Sequence, residues 1–361
     1  MIGAMLIGLD DIEALARGCS VLGTGGGGEV TTGALVARQA ISENGPVRLV
    51  TLDDLADDGI LMPVGGIGAP SVSAEKIGSG YEVEFLREAV EQATAKPVIA
   101  LMASEIGGGN GLYPIAAAAR TGLPVVDGDA IGRAFPEVHM VTMNVAGLLP
   151  ELIVVADERR NVVVLRPIDG RWAERLARSV AEVFGGSAAM ADYVMPVSAA
   201  RGTIIEGTVS LALRIGRAVA SAMDPVAALI KVLDAVVLVE GKVIDVERHT
   251  AGGFVRGSVV VEGHGPDAGR LIRVEIQNEN LVALEDGEVL ASVPDLITMV
   301  DTQTADAVAT ENVRYGQRVL LLAFACAPIW RTAAGIEIAG PRAFGYDFDY
   351  VSVEDRHAVR P

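Results

Sequence analysis

The alternation of short apolar runs with helical segments between residues 46 and 130 limits the possible fold most strongly. Four runs have the length and composition of buried strands: PVRLVTL, GILMPV, PVIALMA and LPVV. A helix is predicted over 81–96, and another over 113–122, with Pro114 in its first turn and Gly122 after its end. Strands that alternate with helices favour a parallel sheet in an α/β domain.

Downstream of this region the sequence changes character. Residues 150–168 predict a β-hairpin, and two helical segments follow. After about residue 234 the chain is rich in β-branched residues punctuated by Gly, Asn and Asp. We therefore expect an α/β fold class, with an N-terminal three-layer α/β domain built on a mostly parallel sheet and a C-terminal β-rich, barrel-like domain. The expected division is 1–168 for the first domain and 169–361 for the linking helices and β domain.

Composition narrows the choice of partners. The 361 residues include 47 Asp and Glu against 29 Lys and Arg, a formal net charge of −18. Nucleic acids and anionic membranes are bound through basic patches, so neither is expected as a partner. The N-terminus has no basic segment of the kind that opens a signal peptide, and two cysteines make no disulfide framework. We expect a cytoplasmic homo-oligomer that binds a small-molecule substrate.

The segment LGTGGGGEV joins two predicted helices through Thr24 and four consecutive glycines, Gly25–Gly28. Its spacing satisfies G-x-G-x-x-G, but a dinucleotide site needs a strand before the loop, and a helix is predicted there. A Walker A loop would need Lys and Ser or Thr where Glu29 and Val30 stand. No nucleotide cofactor is therefore expected. The bare N–H groups at a helix start, which Thr31 or Thr32 caps, suit a carboxylate or a polarised carbonyl; a tight helix-to-helix crossover is the alternative.

Three further polar loops each follow a predicted parallel strand. Ligands of open α/β sheets bind outside the carboxyl ends of the strands, so these loops should face one crevice. In SEIGGGNG, Glu105 is a candidate general base or metal ligand and Asn110 a candidate substrate contact. The alternative for Glu105 is a carboxylate that binds backbone N–H groups at a helix start.

The loop DGDAIGRAFPEVH concentrates the largest number of chemically active side chains. Asp127 and Asp129 are candidates for proton transfer or metal binding, and Arg133 and Glu137 for substrate binding, Arg133 as a bidentate partner of a carboxylate. The alternative is structural: Asp129 caps a following helix, and Arg133 pairs with Glu137 one turn later. His249, at a strand end in the β domain, is a further candidate to close the site.

These motifs together resemble a known family. GCSVLGTGGGGEV, EIGGGNG, GLPVVDGDAIGRAFPE, PDLITMVD and GPRAFGYD are similar to the signatures of the family catalogued as DUF917, described as S-methyl thiohydantoin desulfurase-like and grouped with hydantoinase and oxoprolinase proteins. The resemblance runs over nearly the whole chain. It implies an N-terminal three-layer α/β domain, a C-terminal β domain, and removal of sulfur from thiohydantoin rings to leave a hydantoin. By analogy it also allows a divalent, zinc-like metal, whose candidate ligands are Glu105, Asp127, Asp129 and His249.

The resulting hypothesis is a hydrolase of five-membered cyclic amides or thioamides, of the hydantoin or thiohydantoin type, that desulfurises its substrate. An acid among Glu105, Asp127 and Asp129 would activate water, and the N–H groups of the glycine loop would hold developing negative charge or an acidic tail of the substrate. Two alternatives stay open: a non-catalytic subunit of a hydantoinase-like complex, and a dinucleotide-binding oxidoreductase.

Overall fold

The computed structural model describes residues 5–69, 72, 75, 76, 78–251 and 254–358. The helices of these residues are α1 Ile12–Leu22, α2 Val30–Asn44, α3 Glu82–Thr94, α4 Tyr113–Thr121, α5 Thr142–Val145, α6 Gly170–Val183, α7 Val197–Ala200, α8 Thr208–Ala220, α9 Pro225–Leu233, α10 Ala333–Ala339 and α11 Val353–His357. None of these helices has the length and apolar character needed to cross a membrane.

The strands form two sheets. The first contains β1 Met5–Ile7, β2 Val47–Val50, β3 Ile60–Gly68, β4 Val98–Ala103, β5 Val125–Asp129, β6 Ile153–Ala156, β7 Val162–Leu165, β8 Ser187–Ala191, β9 Met195–Pro196 and β10 Ile205–Glu206. The second contains β11 Val236–Ala251, β12 Phe254–Gly263, β13 Leu271–Gln277, β14 Glu279–Glu285, β15 Glu288–Ser292, β16 Leu296–Asp301 and β17 Arg318–Phe324.

The first sheet has a parallel centre, in the order β2-β5-β4-β3. Its outer strands pair antiparallel, and the predicted hairpin is β6 and β7. Helices cover both faces: Val154 and Ala156 of β6 pack into one hydrophobic cluster, while Ile153 and Val155 pack with α6 into another. The expected three-layer α/β domain is therefore confirmed. The strands β8, β9 and β10, which follow residue 168, complete this sheet.

The helix before the glycine loop packs closely on α8. A Cβ on Gly18 of α1 would lie 1.9 Å from the Ala212 carbonyl oxygen, and one on Gly216 of α8 would lie 1.8 Å from that of Ala14. Backbone therefore meets backbone where the two helices cross, and only glycine fits there. This contact fixes the direction in which α1 delivers the chain to the glycine loop.

The second sheet is antiparallel, in the order β15-β14-β13-β12-β11-β17-β16. It curls into a half-barrel, and the Asn280 side chain of β14 donates to the Ile297 carbonyl oxygen of β16 at 3.1 Å, which joins strands near its two ends. Its interior is a cluster of Val, Leu and Ile side chains. The expected C-terminal β domain is confirmed.

Candidate active site

A cleft of about 630 Å³ lies where the three predicted loops converge. Its walls include the end of β3, the residues that follow β4, the glycine loop, and Glu279, the first residue of β14 in the second sheet. The parallel strands β3 and β4 both end at this edge, so the loops that follow them open into the same space. The cleft thus takes side chains from both sheets.

Glu105 is the second residue after β4 and lines the cleft. It is 8% exposed. The Asn110 amide donates to its Oε1 at 2.6 Å, and the Phe135 N–H donates to its Oε2 at 3.2 Å. Asn110 also accepts from the Gly66 N–H at 2.7 Å, which ties the carboxyl to the end of β3. Burial raises the pKa of Glu105 to about 8, against the lowering effect of its two hydrogen bonds.

Glu279 faces the same cleft from β14 and was missed by the sequence analysis. It is 2% exposed, and its Oε2 has no hydrogen-bond partner among the described residues. Burial and repulsion from Glu105 raise its pKa well above the ordinary range, although Arg133 acts to lower it. The available signal was the run Gln277–Asn280, four consecutive polar residues in a β-branched region, all of which are buried.

A second short network closes the floor beside Glu105. The Ser104 hydroxyl donates to Asp192 Oδ1 at 2.5 Å, and both residues line the cleft. Burial raises the pKa of Asp192 to about 6, and the hydrogen bond from Ser104 opposes that rise. Asp192 thus has a lower pKa than Glu105, which is the order expected if Asp192 accepts a proton and Glu105 donates one.

The glycine loop forms the joint between the two sheets. Four of its five carbonyl groups accept backbone hydrogen bonds: Thr24 from Asn280, Gly25 from Thr310, Gly27 from Asn110, and Gly28 from Gly109. The N–H groups of Gly27 and Gly28 have no protein partner among the described residues, and both glycines line the cleft. Left-handed φ angles of 79° and 88° at these two positions favour glycine. Two backbone donors without a partner among the described residues therefore belong to the cleft lining.

The N-terminus of α2 does not supply the anion site that the sequence suggested. Glu29, and not Thr31 or Thr32, caps this helix. Its carboxylate accepts from the Thr31 N–H at 2.8 Å and the Thr32 N–H at 2.7 Å. Partial burial acts to raise the pKa of Glu29, but the hydrogen bonds from these threonines lower it overall. The helix start is thus already occupied by a negative charge of the chain itself.

Asp127 and Asp129 do not line the cleft. Asp127 accepts from the Ser210 N–H at 3.0 Å and the Ser210 hydroxyl at 2.5 Å, so it binds the first turn of α8. Asp129 is fully buried, and its Oδ2 accepts three backbone N–H groups, those of Ile106, Ile131 and Gly132. Residues 130–140 form bends and a turn and no helix, so the predicted helix cap is wrong. Both side chains hold the loops that shape the site.

Arg133 is also fully buried and lies outside the cleft lining. It donates to the carbonyl oxygens of Pro294 and Asp295 at 2.9 Å each, to that of Ala134, and to the Thr24 hydroxyl at 2.9 Å. It forms no ion pair with Glu137, contrary to the structural alternative. Burial lowers its pKa to about 10, a value that keeps it charged. Arg133 joins the glycine loop to the turn before β16, and its positive charge lies behind the two glutamates.

The remaining candidates divide between the cleft and the surface. Glu137 lines the cleft; burial and then Glu174 raise its pKa, and its Oε2 lies 3.4 Å from His139 Nδ1. His249 is exposed on β11, where it contacts Glu247 at 3.0 Å, and it does not line the cleft. In the part of the chain that the structure describes, no three His, Cys, Asp or Glu side chains are grouped so that they could share a metal ion.

The two sheets define a protein with an α/β domain and a β domain. The cleft between them, which contains Glu105 and Glu279, is a candidate active site. Family models identify the group: residues 10–167 match the S-Me-THD-like N-terminal domain, and residues 168–353 match the S-Me-THD-like C-terminal domain. The chain belongs to this S-methyl thiohydantoin desulfurase-like family, which is consistent with a thiohydantoin-related function.

Structural comparison supports the fold. The chain is similar to a crystal structure of a protein from Chromobacterium violaceum, with a TM-score of 0.81 and 23% sequence identity, over 97% of this chain and 100% of that one. At this identity the likeness establishes the architecture alone. A search of curated proteins gave no match.

Proposed function

We propose that this protein is a hydrolase that removes sulfur from a five-membered thiohydantoin-type ring. One observation carries the proposal: Glu105 and Glu279, from different sheets, are both buried in one cleft with raised pKa values. Paired carboxyls in such surroundings are typical of sites that both donate and accept protons. The family membership supplies the ring chemistry.

The reaction would exchange the sulfur substituent of the ring for oxygen from water. Water adds to the ring carbon that bears the S-alkyl group, the carbon–sulfur bond breaks, and the products are a carbonyl group on the ring and a thiol. An ionised carboxylate accepts the proton of the attacking water, and a protonated carboxyl donates to the ring nitrogen or the departing thiolate. Asp192, whose pKa lies below that of Glu105, is a further base candidate.

The free N–H groups of Gly27 and Gly28 suit a different part of the same reaction. Donors that need no reorganisation stabilise negative charge as it develops on an oxygen or a ring nitrogen. Asn110 keeps the Glu105 carboxyl in one orientation through a 2.6 Å hydrogen bond. A divalent metal remains a proposal from the family analogy, and no step above depends on it.

The test is turnover of paired hydantoin and S-methyl thiohydantoin substrates by protein of known metal content. Thiol release and ring opening are followed separately, for the wild type and for Glu105→Gln, with exposed Glu13→Gln as the matched control. Thiol release without ring opening, lost in Glu105→Gln and kept in the control, supports the proposal. Absence of turnover by folded wild-type protein overturns it and favours the non-catalytic subunit of a larger complex.

A further inference from the structure

The carboxyl group of Glu279 is buried in the cleft without the partners that an ionised carboxylate needs. The residue is 2% exposed and lines the cleft, and its Oε2 has no hydrogen-bond partner among the described residues. Its Oε1 lies against the glycine loop, where a Cβ on Gly26 would be only 2.1 Å away. Packing thus holds the carboxyl group in place, while one of its oxygens is left unpaired.

The neighbouring Glu105 has a different set of partners. Its Oε1 accepts from the Asn110 amide at 2.6 Å, and its Oε2 accepts from the Phe135 N–H at 3.2 Å. N–H groups that donate to a carboxylate stabilise its charged form. Because Glu279 Oε2 lacks such a donor, the structure stabilises the anion less at Glu279 than at Glu105.

The charged groups around Glu279 come from three other segments of the chain. Glu105, after β4, and Glu311, between β16 and β17, repel a negative charge on it, and Arg133 attracts one. The hydrogen bonds of the Arg133 guanidinium, however, go to three carbonyl oxygens and to the Thr24 hydroxyl. Burial outweighs all three neighbours and raises the pKa of Glu279.

The unpaired oxygen favours the protonated carboxyl on general grounds. A buried carboxylate with an unsatisfied oxygen loses the hydration of a charge, whereas a neutral carboxyl loses that of a weaker, uncharged acceptor. In its neutral form the group also carries one O–H donor. The surroundings that keep the proton on Glu279 therefore supply the cleft with an uncharged hydrogen-bond donor.

We propose that Glu279 stays protonated at neutral pH and donates a hydrogen bond from its carboxyl group to an uncharged acceptor of the ring ligand, a carbonyl oxygen or an unprotonated ring nitrogen. At this position the ligand meets a neutral donor and no negative charge. The identity of the ring comes from the proposed function, on which this inference rests.

The role differs from proton transfer, because the proton stays on Glu279 throughout. A carboxylic acid that an apolar site keeps neutral can stabilise negative charge as it develops on a ring oxygen or nitrogen, as a backbone N–H does. What the site requires at this position is therefore a donor of the right length, and the acidity of that donor is secondary.

The test measures the binding of hydantoin, a ring that is uncharged at pH 7, by isothermal titration calorimetry. Glu279→Gln keeps the length of the side chain and replaces the O–H by a neutral N–H donor, so its Kd should stay within about twofold of the wild-type value. Glu279→Met has a similar length and no donor, so its Kd should rise about fivefold or more. The exposed Glu13→Gln is the matched control and should bind as the wild type does.

Three results would overturn the inference. If Glu279→Gln loses as much affinity as Glu279→Met, the site needs a carboxyl group that ionises. If Glu279→Met binds hydantoin as tightly as the wild type, the ligand makes no hydrogen bond to this residue. Absence of hydantoin binding to the folded wild-type protein removes the ligand from the site altogether.

Infrared spectroscopy tests the protonation state directly. A protonated carboxyl has a C=O stretching band that carboxylates and amides lack, so at pH 7 the wild type should show such a band that is absent from Glu279→Met. Addition of hydantoin to the wild type should shift this band, because the O–H gains an acceptor. Both measurements remain available if Glu279→Gln does not fold, as judged by circular dichroism. A missing band, or one that hydantoin does not shift, would refute the proposal.

The two proposals can fail separately. Thiol release by a protein whose hydantoin affinity does not depend on Glu279 would keep the hydrolase and remove the neutral donor. Hydantoin binding that Glu279→Met weakens and Glu279→Gln preserves, without any thiol release by the wild type, would remove the hydrolase and keep the donor.

Discussion

The substitution Gly26→Ala tests whether the Glu279 carboxyl must lie where the structure has it. A Cβ at this position would lie 2.1 Å from Glu279 Oε1, 2.7 Å from its Cδ and 2.8 Å from its Cγ. Ordinary contact begins near 3.4 Å, so the carboxyl must move by more than about 1 Å. The φ angle of Gly26 is not left-handed, so backbone strain from the added Cβ does not contribute to the expected loss of stability.

Two magnitudes follow from this geometry. Overpacking a filled site should lower the free energy of unfolding by about 1–3 kcal/mol. A displacement of about 1 Å in a catalytic group should lower kcat/KM on the S-methyl thiohydantoin substrate about 100-fold. Urea denaturation gives the first quantity and thiol release gives the second.

A double-mutant cycle isolates the contact. In Glu279→Ala the three obstructing atoms are absent, so Gly26→Ala should cost less than about 0.5 kcal/mol in that background. An equal loss of stability in both backgrounds would refute the reasoning, because the clash would then lie with another group. Unchanged stability and turnover of the single variant would refute it as directly.

Four other expectations can be checked with the same assays. Glu105→Gln should flatten the pH dependence of the free energy of unfolding. In the wild type, a Glu105 pKa raised from 4.5 to about 8 makes this free energy fall as pH rises through that window, by up to about 1.4 kcal/mol per pH unit. Urea titrations of both proteins at several pH values measure the slope. Asp129→Asn should lower the free energy of unfolding by about 1–3 kcal/mol, because it weakens the hydrogen bonds to the loops. The kcat/KM of the folded variant should stay within about tenfold of the wild-type value. Complete loss of turnover in a stable variant would show that Asp129 is catalytic. Arg133→Lys should lower the free energy of unfolding by about 3–5 kcal/mol, because an ammonium group cannot make the four hydrogen bonds of the guanidinium. A urea denaturation midpoint equal to that of the wild type would contradict this. Glu29→Ala should lower the free energy of unfolding by about 1 kcal/mol at pH 7, because it removes the cap of α2. The pKa of Glu29 is lowered in the folded state, so the stability that this carboxylate contributes decreases as pH falls through the ordinary glutamate range, and the effect of the substitution decreases with it. Thermal melts of both proteins at pH 7 and pH 4 test the direction.

Local pattern was sufficient to predict most of the elements and the edge of the sheet that carries the site. Pro114 and Gly122 mark the bounds of α4, as predicted. The loop after the predicted strand β4 contains Glu105 and Asn110, which line the cleft. A helix, α1, precedes the glycine loop as expected, so the strand that a dinucleotide fold needs is missing there. These features are encoded within about fifteen residues of sequence, because periodicity, caps and turn residues act locally.

The roles of individual side chains depended on contacts between distant parts of the chain. Asp129 and Arg133 looked like site residues, but they bind backbone groups behind the cleft, because neighbouring loops left unpaired N–H and carbonyl groups there. Glu279 enters the site because the second sheet curls and packs its first β14 residue against Gly26, about 250 positions earlier in the chain. The sequence alone determined the elements and the glycine loop. Tertiary packing decided which carboxyls are buried, and burial is what raises their pKa values and makes them candidates for catalysis.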